Sequence, residues 1–460
     1  MTRDAELDID VNDLKINILD SFTKSLKQRK KGRPVRFVYD QSMPRELVQY
    51  LRNSLNLSLD NLIPGGRYHN FKDFMGFPNI GTPDLEYPKL KPLDIEHLNR
   101  TNSLFTEIAK NDHMVHLPYQ KFDYIVRFLR EAAIDPKVES IKITLYRIAQ
   151  NSMVANALIN AARNGKKITV ILELKARFDE EHNVLWSQRF LEEGVNVLHS
   201  VPEMKIHSKI CLIERKEKGK SVFYAQISTG NYNEKTSRIY CDHSLFTANK
   251  RITTDLVKLF GHLEKGNIKG SFKNILVAPI NLRSRLIQQI QNEISNAKAG
   301  KKAHIRLKVN SLSDEEIISH LYDASNAGVQ IKIIVRGICC LVPGIPKMSS
   351  NIEVVSIVDR YLEHARIYQF YNNGKELMYI SSADMMARNL DNRVEVAVPI
   401  YDKKIQHDLN NILDIQWRDN TKSRLIDQDL NNNYKLAKGD SHRSQVETYT
   451  YLKDNLNAKY

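Results

Sequence analysis

From residue 94 onward, apolar runs alternate with amphipathic stretches in the order expected of an α/β fold. The run "SIKITLYRI" has the length and β-branched content of a buried strand, and "ANALINAARNG" after it has the spacing of a helix with one apolar face. A second apolar run, "KKITVILEL", follows directly. Strand, helix and strand in this order form a βαβ unit, in which the two strands lie parallel in one sheet.

The same plan returns in the second half of the chain. "HIRLKVNSL" predicts a strand, "EEIISHLYDASNAG" a helix and "VQIKIIVRG" a second strand. Gly165 and Gly328 occupy the same position in the two copies, where each ends a helix just before a buried strand. The sequence therefore predicts two tandem copies of one α/β unit.

The repeat extends into a stretch with candidate chemistry. "GVNVLHSVPEMKIHSKICLIE" aligns with "NIEVVSIVDRYLEHARIYQFY", which pairs His207 with His364 and Lys209 with Arg366. Residues two apart on a strand face the same side, so each histidine shares its face with a cation. Taken alone, either motif also fits a solvated strand end. Two equivalent His and cation pairs favour a single site at the junction of the copies.

Residues 1–93 follow a different plan and predict a smaller part with one strand and helices. The strand "PVRFVYD" is followed by a helix that opens at Pro44. The segment from Pro64 to Pro92 is rich in Pro and Gly, which is typical of a connection between domains. The basic run "KSLKQRKKGRPVR" at 24–36 is predicted to be a solvated connection before the first strand.

Composition restricts the class of protein. The 460 residues are 42% hydrophobic and 27% charged, and no apolar stretch approaches the roughly 18 residues of a membrane span. The N-terminus is acidic and polar, unlike a secretory signal, so we expect a cytoplasmic protein. The formal net charge of +14 suits an anionic partner, whether nucleic acid, lipid headgroup, nucleotide or another phosphate polymer. The four cysteines lack C-x-x-C spacing and are predicted to be reduced and mostly in the core.

The histidines and the arginines at strand ends suit phosphoryl transfer. Neutral imidazole is nucleophilic near pH 7, and attack on phosphorus divides one difficult transfer into two easier steps. Arg147, Arg177 and Arg336 each follow a strand predicted to be buried, where α/β sheets bind ligands. Taken singly, each arginine is typical of a surface ion pair. Their recurrence around two histidines favours a site that neutralises phosphoryl oxygens.

The two His-x-cation motifs resemble the phospholipase D superfamily, whose motif is H-x-K-x-x-x-x-D followed by a Gly/Ser/Asn turn. Three positions depart from it: Glu214 and Tyr371 stand where Asp is expected, and Arg366 stands where the second Lys is expected. The branch with these departures is the polyphosphate kinase family. Blocks such as "ELKARFDEE", "KIHSKICLI", "STGNYNEKTSRIYCD" and "VRGICCLVPG" resemble its signatures, and the resemblance covers essentially the whole chain.

The resemblance implies an α/β fold with two tandem phospholipase D-like α/β domains, residues 94–275 and 276–460, preceded by part of an α+β head domain, residues 1–93. The family carries an N-terminal helical domain and the first half of the head domain ahead of these residues. We therefore expect a fragment of a longer protein, without the asparagine that contacts adenine in the family.

The two histidines take different roles in the family that the chain resembles. The resemblance implies that His207 is the nucleophile that becomes phosphohistidine. It implies that His364 contacts the nucleotide phosphates and serves as general acid to the leaving group.

Further residues match the family's phosphate-binding positions. Tyr240 and Arg336 correspond to phosphate contacts, and Arg147 and Arg177 to positions associated with Mg²⁺ and phosphate. Arginine has no lone pair for a hard cation, so these two are expected to bind phosphate oxygens that Mg²⁺ also ligates. Supporting contacts are expected from three more residues: Lys209, Asn231 and Arg366.

The resemblance also implies a Mg²⁺-dependent kinase that uses ATP or ADP and inorganic polyphosphate. It implies a homo-oligomer, association with the inner face of the cell membrane, and no nucleic-acid partner. Two rival functions are a phospholipase D-like phosphodiesterase, either nuclease or lipase, and a non-catalytic module that binds phosphate polymers. The missing superfamily Asp and the three strand-end arginines favour the kinase over the diesterase.

Overall fold

The computed structural model describes residues 1–3, 32–174, 176, 180–199, 204–436 and 439–457. The chain forms two compact units, Met1–Lys89 and Leu90–Tyr460. The domain boundaries predicted after residues 93 and 275 stay predictions. Most of the basic run at 24–36 lies outside the described residues.

The first unit contains a small sheet and one helix. Its strands are β1 (Thr2–Arg3), β2 (Pro34–Asp40) and β3 (Leu62–Gly65), in the order β1-β2-β3, and its helix is α1 (Arg45–Ser54). Short 3₁₀ turns follow at Leu59–Asn61, Phe71–Gly76 and Pro83–Leu85. The predicted strand is β2, and the predicted helix begins directly after Pro44. Proline suits this position because the first N–H groups of a helix have no internal partner.

The second unit contains the predicted repeat. Its strands are β4 (His113–Leu117), β5 (Val138–Leu145), β6 (Lys167–Leu172), β7 (Asn196–His199), β8 (Lys205–Ile206), β9 (Ile210–Glu217), β10 (Lys220–Ser228), β11 (Tyr240–Thr247), β12 (Leu276–Ala278), β13 (His304–Val309), β14 (Gln330–Val335), β15 (Ile352–Ile357), β16 (Leu362–Glu363), β17 (Arg366–Phe370), β18 (Leu377–Ser381), β19 (Arg393–Pro399) and β20 (Ser423–Ile426). Its α-helices are α2 (Glu96–Arg100), α3 (Leu104–Lys110), α4 (Asp123–Ile134), α5 (Met153–Arg163), α6 (Glu180–Glu192), α7 (Lys250–Glu264), α8 (Leu282–Lys298), α9 (Glu315–Asn326), α10 (Ala387–Asp391), α11 (Lys403–Arg418) and α12 (Ser444–Asn457). The mixed α/β class and the two tandem α/β copies are thereby confirmed.

Each copy builds one mixed sheet with the same plan. The first sheet has the order β16-β11-β10-β9-β5-β6-β7, with β4 beside β11, and the second has the order β12-β19-β18-β17-β13-β14-β15-β20, with β8 beside β19. The predicted βαβ units are β5-α5-β6 and β13-α9-β14, and in each the two strands are parallel. Gly165 and Gly328 follow the helices with φ of +78° and +93°, a left-handed conformation that glycine adopts at little cost.

Two short strands cross between the copies. β8 of the first copy pairs in parallel with the start of β19, and places Ile206 beside Val394. β16 of the second copy pairs in parallel with the start of β11, and places Glu363 beside Cys241. The paired histidines follow β8 and β16 directly. The strand pairing therefore brings each histidine to the sheet of the other copy.

A shared hydrophobic core joins the two copies. It contains strand residues from both sheets together with the apolar faces of α7 and α11, among them Ile210, Leu245, Leu256, Ile367, Val396 and Leu409. These apolar side chains are buried, and burial of this kind is the main favourable term in folding. The core therefore holds the two copies, and the strands they exchange, in one compact body.

Two sequence expectations concern membranes and thiols. Among the described residues, no helix combines the length and apolarity that crossing a bilayer requires. Cys211 and Cys241 are buried, as predicted for core thiols, and all four cysteines are free. Cys339 is half-buried and Cys340 is exposed, because they lie on the loop that follows β14.

Candidate active site

His207 lies on the loop between β8 and β9 and is held by the second copy. Its main-chain N–H donates to the carbonyl oxygen of Val394 at 3.0 Å. Its ring nitrogen Nδ1 lies 2.8 Å from Oε1 and 2.9 Å from Oε2 of Glu395, and 12% of the side chain is exposed. The carboxyl group orients the ring through Nδ1, which leaves Nε2 as the nitrogen that can attack a substrate.

Glu395 is fully buried and is itself held by hydrogen bonds. Ser382 Oγ donates to Oε2, and Asn389 Nδ2 donates to Oε1 at 2.7 Å. Burial raises the pKa of Glu395 to about 7. Burial also lowers the pKa of His207 well below its usual value, and the charge of Lys209 lowers it further. The imidazole of His207 is therefore neutral near pH 7.

Lys209 is buried beside His207. Its Nζ donates to the main-chain oxygen of His207 and lies 5.3 Å from the ring centroid of Tyr146. The Tyr146 ring also meets the His207 ring edge to face, at 4.8 Å between centroids. Burial lowers the pKa of Lys209 to about 7. Within the described part of the chain, no carboxylate forms an ion pair with Lys209, so its charge can serve an anionic ligand.

His364 is held by a carboxylate of the first copy, as His207 is held by Glu395 of the second. Its Nδ1 lies 2.9 Å from Oδ1 and 3.0 Å from Oδ2 of Asp242, and 13% of the side chain is exposed. Thr229 Oγ1 donates to Asp242 Oδ1 at 2.6 Å. Burial raises the pKa of Asp242, but His364 and the Thr229 hydroxyl outweigh it, so the net shift is downward. Asp242 is therefore ionised near pH 7.

Arg366 is the cation beside His364, and a carboxylate neutralises it. Its Nε and Nη2 donate to the two oxygens of Asp384 at 3.2 and 3.0 Å. Its Nη1 donates to the main-chain oxygen of His364 at 2.7 Å. Burial raises the pKa of Asp384, but the charge of Arg366 outweighs it and holds that pKa at about 2. The charges of Lys209 and Arg366 both act on both histidines, so the two motifs form one site.

The turn after β10 packs against the carboxylate that holds His364. A Cβ atom at Gly230 would lie 2.1 Å from Asp242 Oδ2 and 2.3 Å from its Cγ. No real side chain tolerates that distance, so only glycine lets the turn approach Asp242. The small polar turn noted in the sequence therefore has a structural reason.

The structure places Tyr240 and Arg336 beside His364. The rings of Tyr240 and His364 lie 5.1 Å apart between centroids. Arg336 Nε donates to the main-chain oxygen of Glu363 at 2.8 Å, and its Nη2 donates to Asn310 Oδ1 at 3.0 Å. Burial lowers the pKa of Arg336, and the charge of Arg366 adds to that effect.

Of the remaining predicted residues, Arg147 lies near His207, Asn231 lies in a turn and Arg177 is outside the described part. Arg147 follows β5, and its guanidinium carbon lies 5.8 Å from the centroid of the Tyr146 ring that contacts His207. Asn231 lies in the turn after β10, and its Oδ1 is buried with no hydrogen-bond partner among the described residues. Arg177 lies outside the described residues.

The sequence analysis missed the three carboxylates that orient the site: Asp242, Glu395 and Asp384. A signal for two of them is present in the repeat. Asp242 accepts a bond from Thr229, thirteen residues earlier, and Glu395 accepts one from Ser382, also thirteen residues earlier. Each carboxylate lies on the strand that follows the small polar turn of its own copy, yet it holds the histidine of the other copy.

The described residues do not fit a Mg²⁺ site made by the protein. No group of three or more His, Cys, Asp or Glu side chains in the described ranges is arranged to hold a metal ion. The carboxylates of the site are bonded to His207, His364 and Arg366 instead. Mg²⁺ prefers several oxygen ligands in octahedral geometry, which these side chains do not supply.

Three family descriptions match the chain in consecutive segments. "Polyphosphate kinase middle domain" matches residues 1–77, "Polyphosphate kinase C-terminal domain 1" matches 103–269, and "Polyphosphate kinase C-terminal domain 2" matches 275–445. The last two segments cover the two copies of the repeat.

Relatives and a solved structure agree with this match. The chain is 46% identical to a polyphosphate kinase of Vibrio parahaemolyticus over 457 residues, which is 99% of this chain and 65% of the relative. It is 44% identical to a polyphosphate kinase of Escherichia coli over 98% of this chain and 66% of the relative. The crystal structure of polyphosphate kinase from Porphyromonas gingivalis superposes with a TM-score of 0.85 at 43% identity, covering 92% of this chain and 65% of that one. The chain thus spans about two thirds of the length of these proteins.

Proposed function

Because the chain belongs to the polyphosphate kinase family, we propose that it transfers the γ-phosphate of ATP to His207 and from there to the end of an inorganic polyphosphate chain, reversibly. One observation carries the proposal most directly. A neutral His207 has Nδ1 engaged by Glu395 and lies beside the buried cation Lys209. This combination gives a nucleophilic Nε2 and a positive charge for the phosphoryl group it attacks.

In the first step, the lone pair of His207 Nε2 forms a bond to the γ-phosphorus. The bond from that phosphorus to the β,γ-bridging oxygen breaks, and its electron pair leaves with ADP. The imidazole N–H at Nδ1 donates to Glu395 throughout, so the carboxyl group supports the positive charge that develops on the ring. In the second step, a terminal oxygen of the polymer attacks the phosphorus, the N–P bond breaks, and the imidazole recovers its lone pair.

His364 serves the leaving side of this transfer. Its ring is oriented by the ionised Asp242, and its Nε2 lies 3.2 Å from Arg366 Nη1. Because the ionised Asp242 accepts the proton on Nδ1, Nε2 can donate only when the ring is the imidazolium ion. In that form it gives its Nε2 proton to the leaving phosphate oxygen, and the neutral ring takes up a proton from solvent before the next turnover. Tyr240 and Arg336 bind the phosphates of the nucleotide beside it.

The strand-end arginines bind the transferred phosphate. Arg147 lies on the His207 side of the site, and Arg177 completes the same cluster in this proposal. Lys209, Asn231 and Arg366 support them. Mg²⁺ arrives as the salt of ATP, because its ligands are phosphate oxygens and water in this proposal. The net charge of +14 suits a polyphosphate substrate.

The decisive experiment uses ATP labelled at the γ-phosphate. The wild-type chain should acquire an acid-labile, base-stable label and should form a long polymer, and His207→Ala should do neither. His304→Ala is the matched control, since His304 is a partly buried histidine of the second copy that packs on Tyr371, outside the histidine site. A phosphodiesterase would give no label, and a binding module would retain ATP without covalent transfer. Label on a folded His207→Ala variant would remove His207 from the mechanism.

Assembly and location complete the proposal. We expect a homo-oligomer with a cytoplasmic location and association with the inner face of the membrane. Size-exclusion chromatography with light scattering tests the first expectation, and cell fractionation tests the second.

A further inference from the structure

Glu363, the residue before His364, contacts the nucleotide side of the site through its backbone. Its main-chain oxygen accepts the Arg336 Nε bond at 2.8 Å. It lies on β16, whose pairing with β11 fixes the start of the strand that carries Tyr240. We propose that Glu363 is a positioning residue that holds Tyr240, Arg336 and His364 as one phosphate-binding unit, an inference that rests on the proposed function.

The side chain of Glu363 is locked in place below the site. It is 2% exposed and accepts three side-chain hydrogen bonds. Lys308 Nζ donates to Oε2 at 2.5 Å, Gln416 Nε2 donates to Oε2 at 3.0 Å, and Gln445 Nε2 donates to Oε1 at 2.8 Å. A buried carboxylate with this many donors has one stable orientation, so the backbone of Glu363 is held with it.

Gln445 connects the C-terminal helix α12 to this network. Besides its bond to Glu363, its Nε2 donates to the main-chain oxygen of Tyr361 at 2.9 Å, and its Oε1 accepts the N–H of Tyr361 at 2.9 Å. Two residues before Gln445, Arg443 forms two hydrogen bonds with Asp359. Arg443, just before α12, and Gln445, within it, therefore hold the segment from Asp359 to Glu363 that leads into His364.

The first copy has an apolar side chain at the equivalent position of its exchanged strand. Ile206 is the residue equivalent to Glu363, and its apolar side chain belongs to the shared core. Its main-chain N–H donates to Glu173 Oε2 at 3.1 Å. Since an apolar side chain suffices at this strand position in the first copy, the fold does not require a carboxylate at the position of Glu363. Burying such a network is costly, which favours a role in the site.

Two variants test the proposal in the 460-residue chain. Glu363→Gln keeps the shape but offers one acceptor oxygen in place of two. Gln445→Ala removes one hydrogen bond to Glu363 and two to Tyr361 but leaves the buried pair of Lys308 and Glu363, so it is the variant expected to fold better. Glu293→Gln is the matched control, because Glu293 is a fully buried glutamate of the same copy that accepts the N–H of Asn372 away from the histidines.

Affinity for ATP and for tripolyphosphate, measured calorimetrically, reports on positioning without requiring turnover. We expect both network variants to bind at least about tenfold more weakly and to show a raised KM, because a 1 Å misplacement can cost about 10²-fold. The control should lose thermal stability yet keep its affinities and its KM.

The outcomes separate the two proposals. Affinities within twofold of the wild type in Gln445→Ala, or in a folded Glu363→Gln, would overturn the positioning role. Equal weakening in Glu293→Gln would also overturn it, because the effect would then follow stability alone. A wild type that binds tripolyphosphate but forms neither label nor polymer would end the proposed kinase function and leave the positioning role standing. A wild type that binds neither probe would end both.

Discussion

The two copies of the repeat place equivalent groups in the same positions and give them different chemistry. In the first copy, the cation Lys209 has no carboxylate bonded to it among the described residues, and burial lowers its pKa to about 7. In the second copy, Asp384 neutralises Arg366 through two hydrogen bonds. The turn position equivalent to Asp384 is Asn231 in the first copy. The cation without a bonded carboxylate therefore lies beside His207, where the proposed mechanism needs it.

The two carboxyl groups that orient the histidines also differ, because their pKa values are shifted in opposite directions. Burial raises the pKa of Glu395, the partner of His207, to about 7. The net pKa shift of Asp242, the partner of His364, is downward. Position in the repeat thus predicts which residues are equivalent, whereas burial and hydrogen bonds set the different chemistry that the proposed mechanism assigns to each histidine.

After the loss of His207 itself, the largest expected effect comes from the histidine of the second copy. His364→Gln should lower turnover by about 10² to 10⁴, the factor typical of losing a general acid. Some labelling of His207 should remain, because attack requires only the nucleophile and the phosphate contacts. Mass spectrometry under alkaline conditions measures the stoichiometry of acid-labile phosphate. Phosphate on His364 in the wild type, or full turnover in the variant, would reverse the assigned roles.

The next effect concerns the two arginines proposed to bind the transferred phosphate. Arg147→Lys or Arg177→Lys keeps the charge but loses the planar fork that binds two phosphate oxygens, so we expect a loss of roughly 2 to 3 kcal/mol in transition-state stabilisation. The measurement is kcat/KM for ATP. Arg163→Lys is the control, since Arg163 forms an exposed ion pair with Glu193. A change of less than about threefold at either site would argue for a surface role.

A third change makes the first copy resemble the second. Asn231→Asp adds a carboxylate at the position equivalent to Asp384 and opposes the phosphate electrostatically, so we expect the rate of His207 labelling to fall about tenfold, or ~1.4 kcal/mol. Asn233→Asp is the control, because Asn233 Oδ1 accepts backbone N–H bonds from residues 235 and 236 that a carboxylate also accepts. Equal rates in the two variants would show that the neutral turn is unimportant.

The last prediction concerns the pH profile, where the expected change in rate is no larger than that of Asn231→Asp. Below about pH 7, Glu395 takes up a proton and supports the His207 imidazole less well, and above about pH 7 Lys209 loses its charge. The labelling rate should therefore pass through a maximum near neutrality, with the two groups titrating together. Glu395→Gln should lower that maximum about tenfold and remove only the acid limb. Asp242→Asn should keep the acid limb, since Asp242 already titrates below this range. An acid limb that persists in Glu395→Gln would assign it to another group.

The repeat could be predicted from the sequence, but the carboxyl groups that bind its two histidines could not. The match of Gly165 with Gly328 and of His207 with His364 follows from apolar runs long enough to define strands, and the structure keeps both matches. The exchanged strands β8 and β16 are two residues each, too short to produce a hydrophobic period. Without them, nothing in the sequence joins Glu395 to His207, residues that are 188 positions apart.

The exchange of β8 and β16 has a consequence for how the chain becomes active during folding. Each histidine is oriented only when the other copy has supplied both a strand partner and a carboxyl group. A half chain made alone would keep its apolar core positions. The first residues of one of its strands would have no strand partner, and its carboxyl group would have no imidazole to bind. Activity should therefore emerge in a single late step, and fragments separated in the loop between Glu264 and Leu276 should complement each other only on association.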